Sequence, residues 1–207
     1  IMPHEERTLN KENIDCILRD YAASVEKVGE SIQGIKGRAL LESLKREKVN
    51  VGPYPDVTLF EAANRIMTDL VIYNGVKWLL ENKVFPFESY TVELGNEDKN
   101  DFDITAEREG VTLIGEAFNV APSLFQGKKT SMLKKLRKEG VKANYRLIMV
   151  NHDAVPAGYS PHCEPNEYYL FVNVSTASAV IVPNKPFGAD AQKTRGGWSP
   201  LARSTFR

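Results

Sequence analysis

The chain has 207 residues, 42% hydrophobic and 26% charged, and its 27 basic and 27 acidic side chains cancel. This is the composition of a globular chain long enough to bury about 70% of the surface its unfolded form exposes. It excludes a uniformly basic nucleic-acid coat protein, so any nucleic-acid surface must be local. Cys16 and Cys163 are far apart and lack metal-ligand spacing. They point to free thiols in a reducing, cytoplasmic compartment. No stretch approaches the roughly 18 apolar residues of a membrane span, and no secretory signal pattern is expected.

In chain order, residues 1–11 are polar and expected to fray. Ile14, Ile17, Leu18, Tyr21, Val25 and Val28 recur at helical spacing, which predicts a helix from Asn13 to about Val28. A second helix, Arg38–Arg46, carries Leu40, Leu41 and Leu44. Gly52, Pro53 and Pro55 then make a loop. Thr58–Asn82 has the longest helical pattern, opened by the Thr58/Glu61 capping box, with Gly75 as a point of bending or splitting. Tyr90–Leu94 alternates like a strand. In the next strand Phe102, Ile104 and Ala106 are expected on one face, with Asp101, Asp103 and Thr105 on the other.

Arg108-Glu109-Gly110 reads as a hairpin turn. Val111–Val120 follows as a strand with Leu113, Gly115, Ala117 and Asn119 on one face and Thr112, Ile114, Glu116 and Phe118 on the other. Phe125–Glu139 is a basic helix with Gly140 as its cap. Tyr145–Val150, Tyr168–Ser175 and Ala177–Val182 complete the strands. A helix between two strands implies a crossover and parallel pairing. The expected fold class is therefore α/β (or α+β): a central mixed β-sheet flanked by helices. The expected division is an N-terminal helical segment (1–50), an α/β core (51–183) and a flexible C-terminal tail (184–207).

Asp103 and Glu116 fall on successive strands of one hairpin. Carboxylates from neighbouring strands supply the oxygen ligands that Mg²⁺ needs while leaving it waters for chemistry. Asp101 competes with Asp103, and the bland alternative is a polar, solvated sheet face. The basic helix carries Lys128, Lys129, Lys134, Lys135, Arg137 and Lys138, with Glu139 as its one acid. Such a run is either a solvated face or a phosphate contact driven by counterion release. The start of the helix, near Gln126, offers N–H groups to a phosphate. His152, His162, Cys163 and Glu164 share a loop without zinc spacing and read as loop polar residues.

From about Glu61 to Ser175 the chain resembles the PD-(D/E)XK nuclease superfamily, the restriction-endonuclease-like group. The resemblance rests on DFDI with Asp103 and LIGEAFN with Glu116. It implies a restriction-endonuclease-like fold and a Mg²⁺- or Mn²⁺-dependent DNA endonuclease with Asp103 and Glu116 as metal ligands. DNA is the implied partner, a homodimer is possible, and no membrane is involved. The family carries a lysine two residues after the second carboxylate, where this chain has Phe118. Members that move it onto the next helix make Lys128 or Lys129 the replacement, or Lys134, with Asn119 and Gln126 as weaker substitutes. Glu61 matches the helix acid of many members, or serves only as a capping residue. Lys134, Lys135, Arg137 and Lys138 would hold the nucleic-acid backbone. The alternatives are a catalytically inactive nucleic-acid-binding protein of the same fold and a protein-interaction module.

Overall fold

A computed structural model describes residues 7–95 and 101–184 of the chain. In chain order the elements are β1 (Arg7–Asn10), α1 (Ile14–Ser31), α2 (Gly37–Arg46), β2 (Lys48–Val49), β3 (Val57–Thr58) and α3 (Leu59–Asn82). There follow β4 (Ser89–Val92), β5 (Ile104–Arg108), β6 (Val111–Phe118), α4 (Phe125–Leu136), β7 (Tyr145–Asn151), β8 (Glu167–Asn173) and β9 (Ser178–Val182). Seven strands form one sheet in the order β1-β4-β5-β6-β7-β8-β9, while β2 and β3 make a separate two-stranded hairpin. Pairing is antiparallel from β1 through β6, parallel for β6–β7 and β7–β8, and antiparallel again at β9. The molecule is thus an α/β protein built on a mixed sheet, with α4 as the crossover that parallel pairing of β6 and β7 requires.

The two sheet faces follow from strand alternation. Along β6, Leu113 and Ala117 join one core cluster with α1 and α3, whereas Ile114 and Phe118 join a second cluster with Phe125 and Leu136 of α4. Helix α3 covers the first face. Its start is set locally, since the Thr58 hydroxyl accepts the Glu61 N–H at 3.3 Å. Its stop is Lys83, in the left-handed region with φ 49°. Gly75 does not break it. A Cβ there would lie 2.6 Å from Met149 Sδ and 3.2 Å from Leu170 Cδ2. The glycine lets the helix press onto β7 and β8, which a helix-propensity argument cannot foresee.

Three further expectations are corrected. Arg7–Asn10 is an edge strand rather than frayed chain, with Leu9 fully buried against the sheet. Four residues with a single apolar position carry no readable alternation, and the strand exists because β4 offers it an unpaired edge. The β5 strand begins at Ile104, so Phe102 lies outside it and packs on the α4 side, opposite Ile104 and Ala106. Helix α4 ends at Leu136, three residues early, because Arg146 reaches in to donate to the Leu136 carbonyl at 3.0 Å and caps it. Residues 185–207 of the expected tail lie outside the described residues.

Candidate active site

The β5–β6 register pairs Ile104 with Gly115. One step further along both strands, Asp103 stands opposite Glu116, and facing residues of an antiparallel pair share a sheet face. The Asp103 carboxylate accepts the Ala117 N–H at 2.8 Å, and its own backbone carbonyl accepts the Glu93 N–H at 2.9 Å. Asp103 is therefore pinned at the mouth of the hairpin by both neighbouring strands, and is half-buried. Glu116 is only 1% exposed, on the face covered by α4. The two acids are thus brought together on one side of the sheet. Asp101, its competitor, is exposed and precedes the strand.

The cation at this pair is Lys135, whose Nζ lies 2.8 Å from Glu116 Oε1 and 5.9 Å from the centroid of the Phe102 ring. Lys128 and Lys129 were the expected choices. Lys129 instead donates to the Tyr159 hydroxyl at 3.0 Å and lies over the Tyr159 and Phe125 rings. Helical geometry explains the division. Lys128 and Lys135, seven residues apart, sit within about 20° of each other around the helix axis, on one flank of the buried Phe125/Leu136 stripe; Lys129 sits on the other flank. Lys128 is half-buried. It lies about 10 Å further along the axis than Lys135, so the two cannot serve one carboxylate from the same position. The signal for Lys135 was present in the sequence as this seven-residue spacing beside the stripe. What was missing was which flank faces β5 and β6.

The rest of the basic run divides likewise. Arg137 grips the buried Glu167 with two hydrogen bonds of 2.6 Å and reaches Glu164 at 3.2 Å. Burial alone would raise the Glu167 carboxyl; the Arg137 hydrogen bonds and charge outweigh it and hold the group below its usual range. Arg137 thus closes α4 onto β8 and is not part of an open phosphate-binding face. Lys134 and Lys138 are exposed.

Glu61 is exposed on the first turn of α3, the helix on the opposite sheet face, and pairs with Arg65 at 2.6 Å. Asn119 is half-buried just past β6, and Gln126 is exposed in the first turn of α4. Neighbouring Asn151, 2% exposed, clamps the ends of β6 and β7 by bonding both the N–H and the carbonyl of Val120.

Two carboxylates are the donors here that a hard cation could use, and Glu116 already carries the Lys135 ammonium. Mg²⁺ is commonly held by one or two carboxylates with water completing its octahedron, and Asp103 and Glu116 are such a pair. Among the described residues there is no group of three or more His, Cys, Asp or Glu placed to hold a metal. The remaining ligands would therefore come from water and substrate.

Fold and site together define an α/β protein with a carboxylate pair and a lysine at the mouth of a mixed sheet. No family model, no curated protein and no solved structure matches the chain. No helix among the described residues is long and apolar enough to cross a membrane.

Proposed function

We propose that this chain is a metal-dependent phosphodiester hydrolase, a DNA endonuclease of the restriction-enzyme type. The observation that carries this reading is Asp103, one residue before β5, standing opposite Glu116 of β6 by extension of their register, with Lys135 of the next helix 2.8 Å from Glu116. Lys135 takes the place of the lysine missing at Phe118. The order helix, three antiparallel strands, helix, parallel strand (α3, β4, β5, β6, α4, β7) supports it, because it is the core order the resemblance implies.

Asp103 and Glu116 would hold Mg²⁺ or Mn²⁺, which supplies Lewis-acid polarisation of the phosphoryl oxygen and a more acidic bound water. The Lys135 ammonium orients the attacking water or meets the charge that develops on phosphorus-bound oxygens. Lys134, exposed on α4, and Lys138, exposed just past its end, contact neighbouring phosphates, and their binding weakens with salt. Cutting both strands of a duplex would call for a two-fold dimer.

The test is plasmid nicking with Mg²⁺ or Mn²⁺ by the wild type and by Asp103→Ala, Glu116→Ala and Lys135→Ala. The proposal expects cleavage by the wild type and loss of it in all three. Unchanged cleavage in the variants would sink the site assignment. A second reading, a nucleic-acid-binding protein without catalysis, is favoured by one observation: Phe118, 2% exposed, fills the lysine position with packed core. Salt-sensitive DNA retention with no cleavage on any substrate would select it.

A further inference from the structure

A single 3₁₀ turn, Pro122–Leu124, joins β6 to α4. It stands at the end of the sheet where the parallel strands β6, β7 and β8 all finish, and it packs against the His152–Ala154 turn that follows β7. Asp103 and Glu116 lie at this same end, since Glu116 is two residues short of the last residue of β6. The crevice beyond the carboxyl ends of parallel strands is where open α/β sheets receive their ligands.

Leu124, the last residue of the turn, is 61% exposed. A singly exposed leucine is ordinary. This one is set apart by what holds it and what surrounds it. Its N–H donates to the Ala121 carbonyl at 2.9 Å, Pro122 fixes the backbone two residues earlier, and the next side chain, Phe125, is fully buried against Phe118 and Tyr159. An apolar group is thus presented to solvent on a preorganised support. The surroundings suit a polyanion. Leu124, Lys128 and Lys135 fall within about 40° of one another around the α4 axis. The flank whose Lys135 meets Glu116 therefore continues outward to Leu124, about 16 Å along the axis, which is the rise of roughly five base pairs. From Asn119 to Lys138 the chain has no acid, and Ser123 and Gln126 are exposed beside the leucine. The neighbouring turn adds an exposed His152, and its Asp153 accepts the Asn151 amide at 2.8 Å.

Apolar side chains such as leucine enter the minor groove between base steps, partly unstack them and kink the duplex, with amide side chains such as glutamine reading the groove beside them. Pyrimidine–purine steps, TA among them, yield to this most easily. We propose that Leu124 is such a wedge, with Gln126 in the groove beside it and Lys128 on the adjacent phosphates, so that the chain selects DNA by the deformability of a pyrimidine–purine step. The proposal rests on the DNA-binding part of the reading above and not on cleavage.

The test is binding of the whole chain, with Ca²⁺ in place of Mg²⁺, to two short duplexes. One carries a single TA step whose adenine is replaced by 2-aminopurine; the other has the same length and no pyrimidine–purine step. The expected result is a rise in 2-aminopurine fluorescence on binding, which reports unstacking, and an affinity about tenfold higher for the TA duplex. In Leu124→Ser the rise is lost and the two affinities converge, while Leu124→Phe, which keeps an apolar wedge, retains both. The position is exposed, so neither substitution threatens the fold. Lys128→Ala weakens both duplexes alike and keeps the rise. Binding without a fluorescence change, or the wild-type TA preference in Leu124→Ser, overturns the wedge and leaves the hydrolase reading standing. The fluorescence rise without cleavage in Mg²⁺ supports the wedge and overturns catalysis alone. No binding to either duplex overturns both.

Discussion

The ion pair between Lys135 and Glu116 makes a prediction in which stability and activity separate. Glu116 Oε1 lies 2.8 Å from the ammonium; the carboxylate side chain is 2% exposed and the lysine 35%. Lys135→Ala leaves a carboxylate in a cluster that includes Ile114, Phe118 and Ile148. Breaking a fully buried pair from one side costs about 3–5 kcal/mol. A third of the lysine side chain reaches solvent, so water replaces part of what is lost, and about 1–3 kcal/mol is expected. Glu116→Gln removes the charge that needs compensating, so Glu116→Gln/Lys135→Ala should be more stable than Lys135→Ala alone. Cleavage should behave differently. Each single substitution should lower it by about 10²–10³-fold, as loss of one transition-state contact does, and the double variant should not recover. Urea denaturation and plasmid nicking on the same preparations read both quantities. Cleavage that returns together with stability in the double variant would refute the catalytic role and leave a purely structural ion pair.

Asp69 contributes a pH dependence of its own. Burial, only partly offset by the hydrogen bonds from Tyr21, Tyr54 and Gly95, raises its carboxyl from 3.8 to about 6. Between these values the folded chain holds a proton that the unfolded chain has lost, so this contribution to stability is present at low pH and lost as the pH rises through about 6. The loss amounts to about 3 kcal/mol. The stability difference between wild type and Asp69→Asn should therefore change between pH 4 and pH 7 in urea titrations, and a constant difference would contradict the raised carboxyl. Gly75→Ala gains about 1 kcal/mol of helix propensity but overpacks Met149 and Leu170 at a cost of about 1–3 kcal/mol, so its midpoint should fall, not rise. Arg137→Ala should destabilise by up to about 3 kcal/mol by orphaning the buried Glu167. Lys134→Ala and Lys138→Ala should leave stability unchanged, and each should reduce the salt slope of DNA binding by about 0.9 if it meets a phosphate.

Much of this architecture is legible in local pattern. The Thr58 cap, the apolar spacing of α1 and α3, and the alternation along β6 each follow from a few adjacent residues. So does the facing of Asp103 and Glu116, because a short hairpin fixes its own register. Less legible were features whose cause is distant in sequence. Arg7–Asn10 becomes a strand only through the edge of β4, 80 residues on. Asp69 reads as one more polar residue of α3 until Tyr21 and Tyr54 close over it.

By itself, then, the sequence determined the main helices, the strands from β4 to β9, the mixed α/β class and the hairpin that sets Asp103 opposite Glu116, since these depend on backbone period and near neighbours. Only the tertiary structure decided which member of a run of six cations reaches that pair, which one locks onto Glu167, and which two tyrosines close over Asp69. A basic helix presents similar charges all around its axis. The packing of its apolar stripe against one particular sheet, through contacts tens of residues apart, is what gives each lysine a different neighbour.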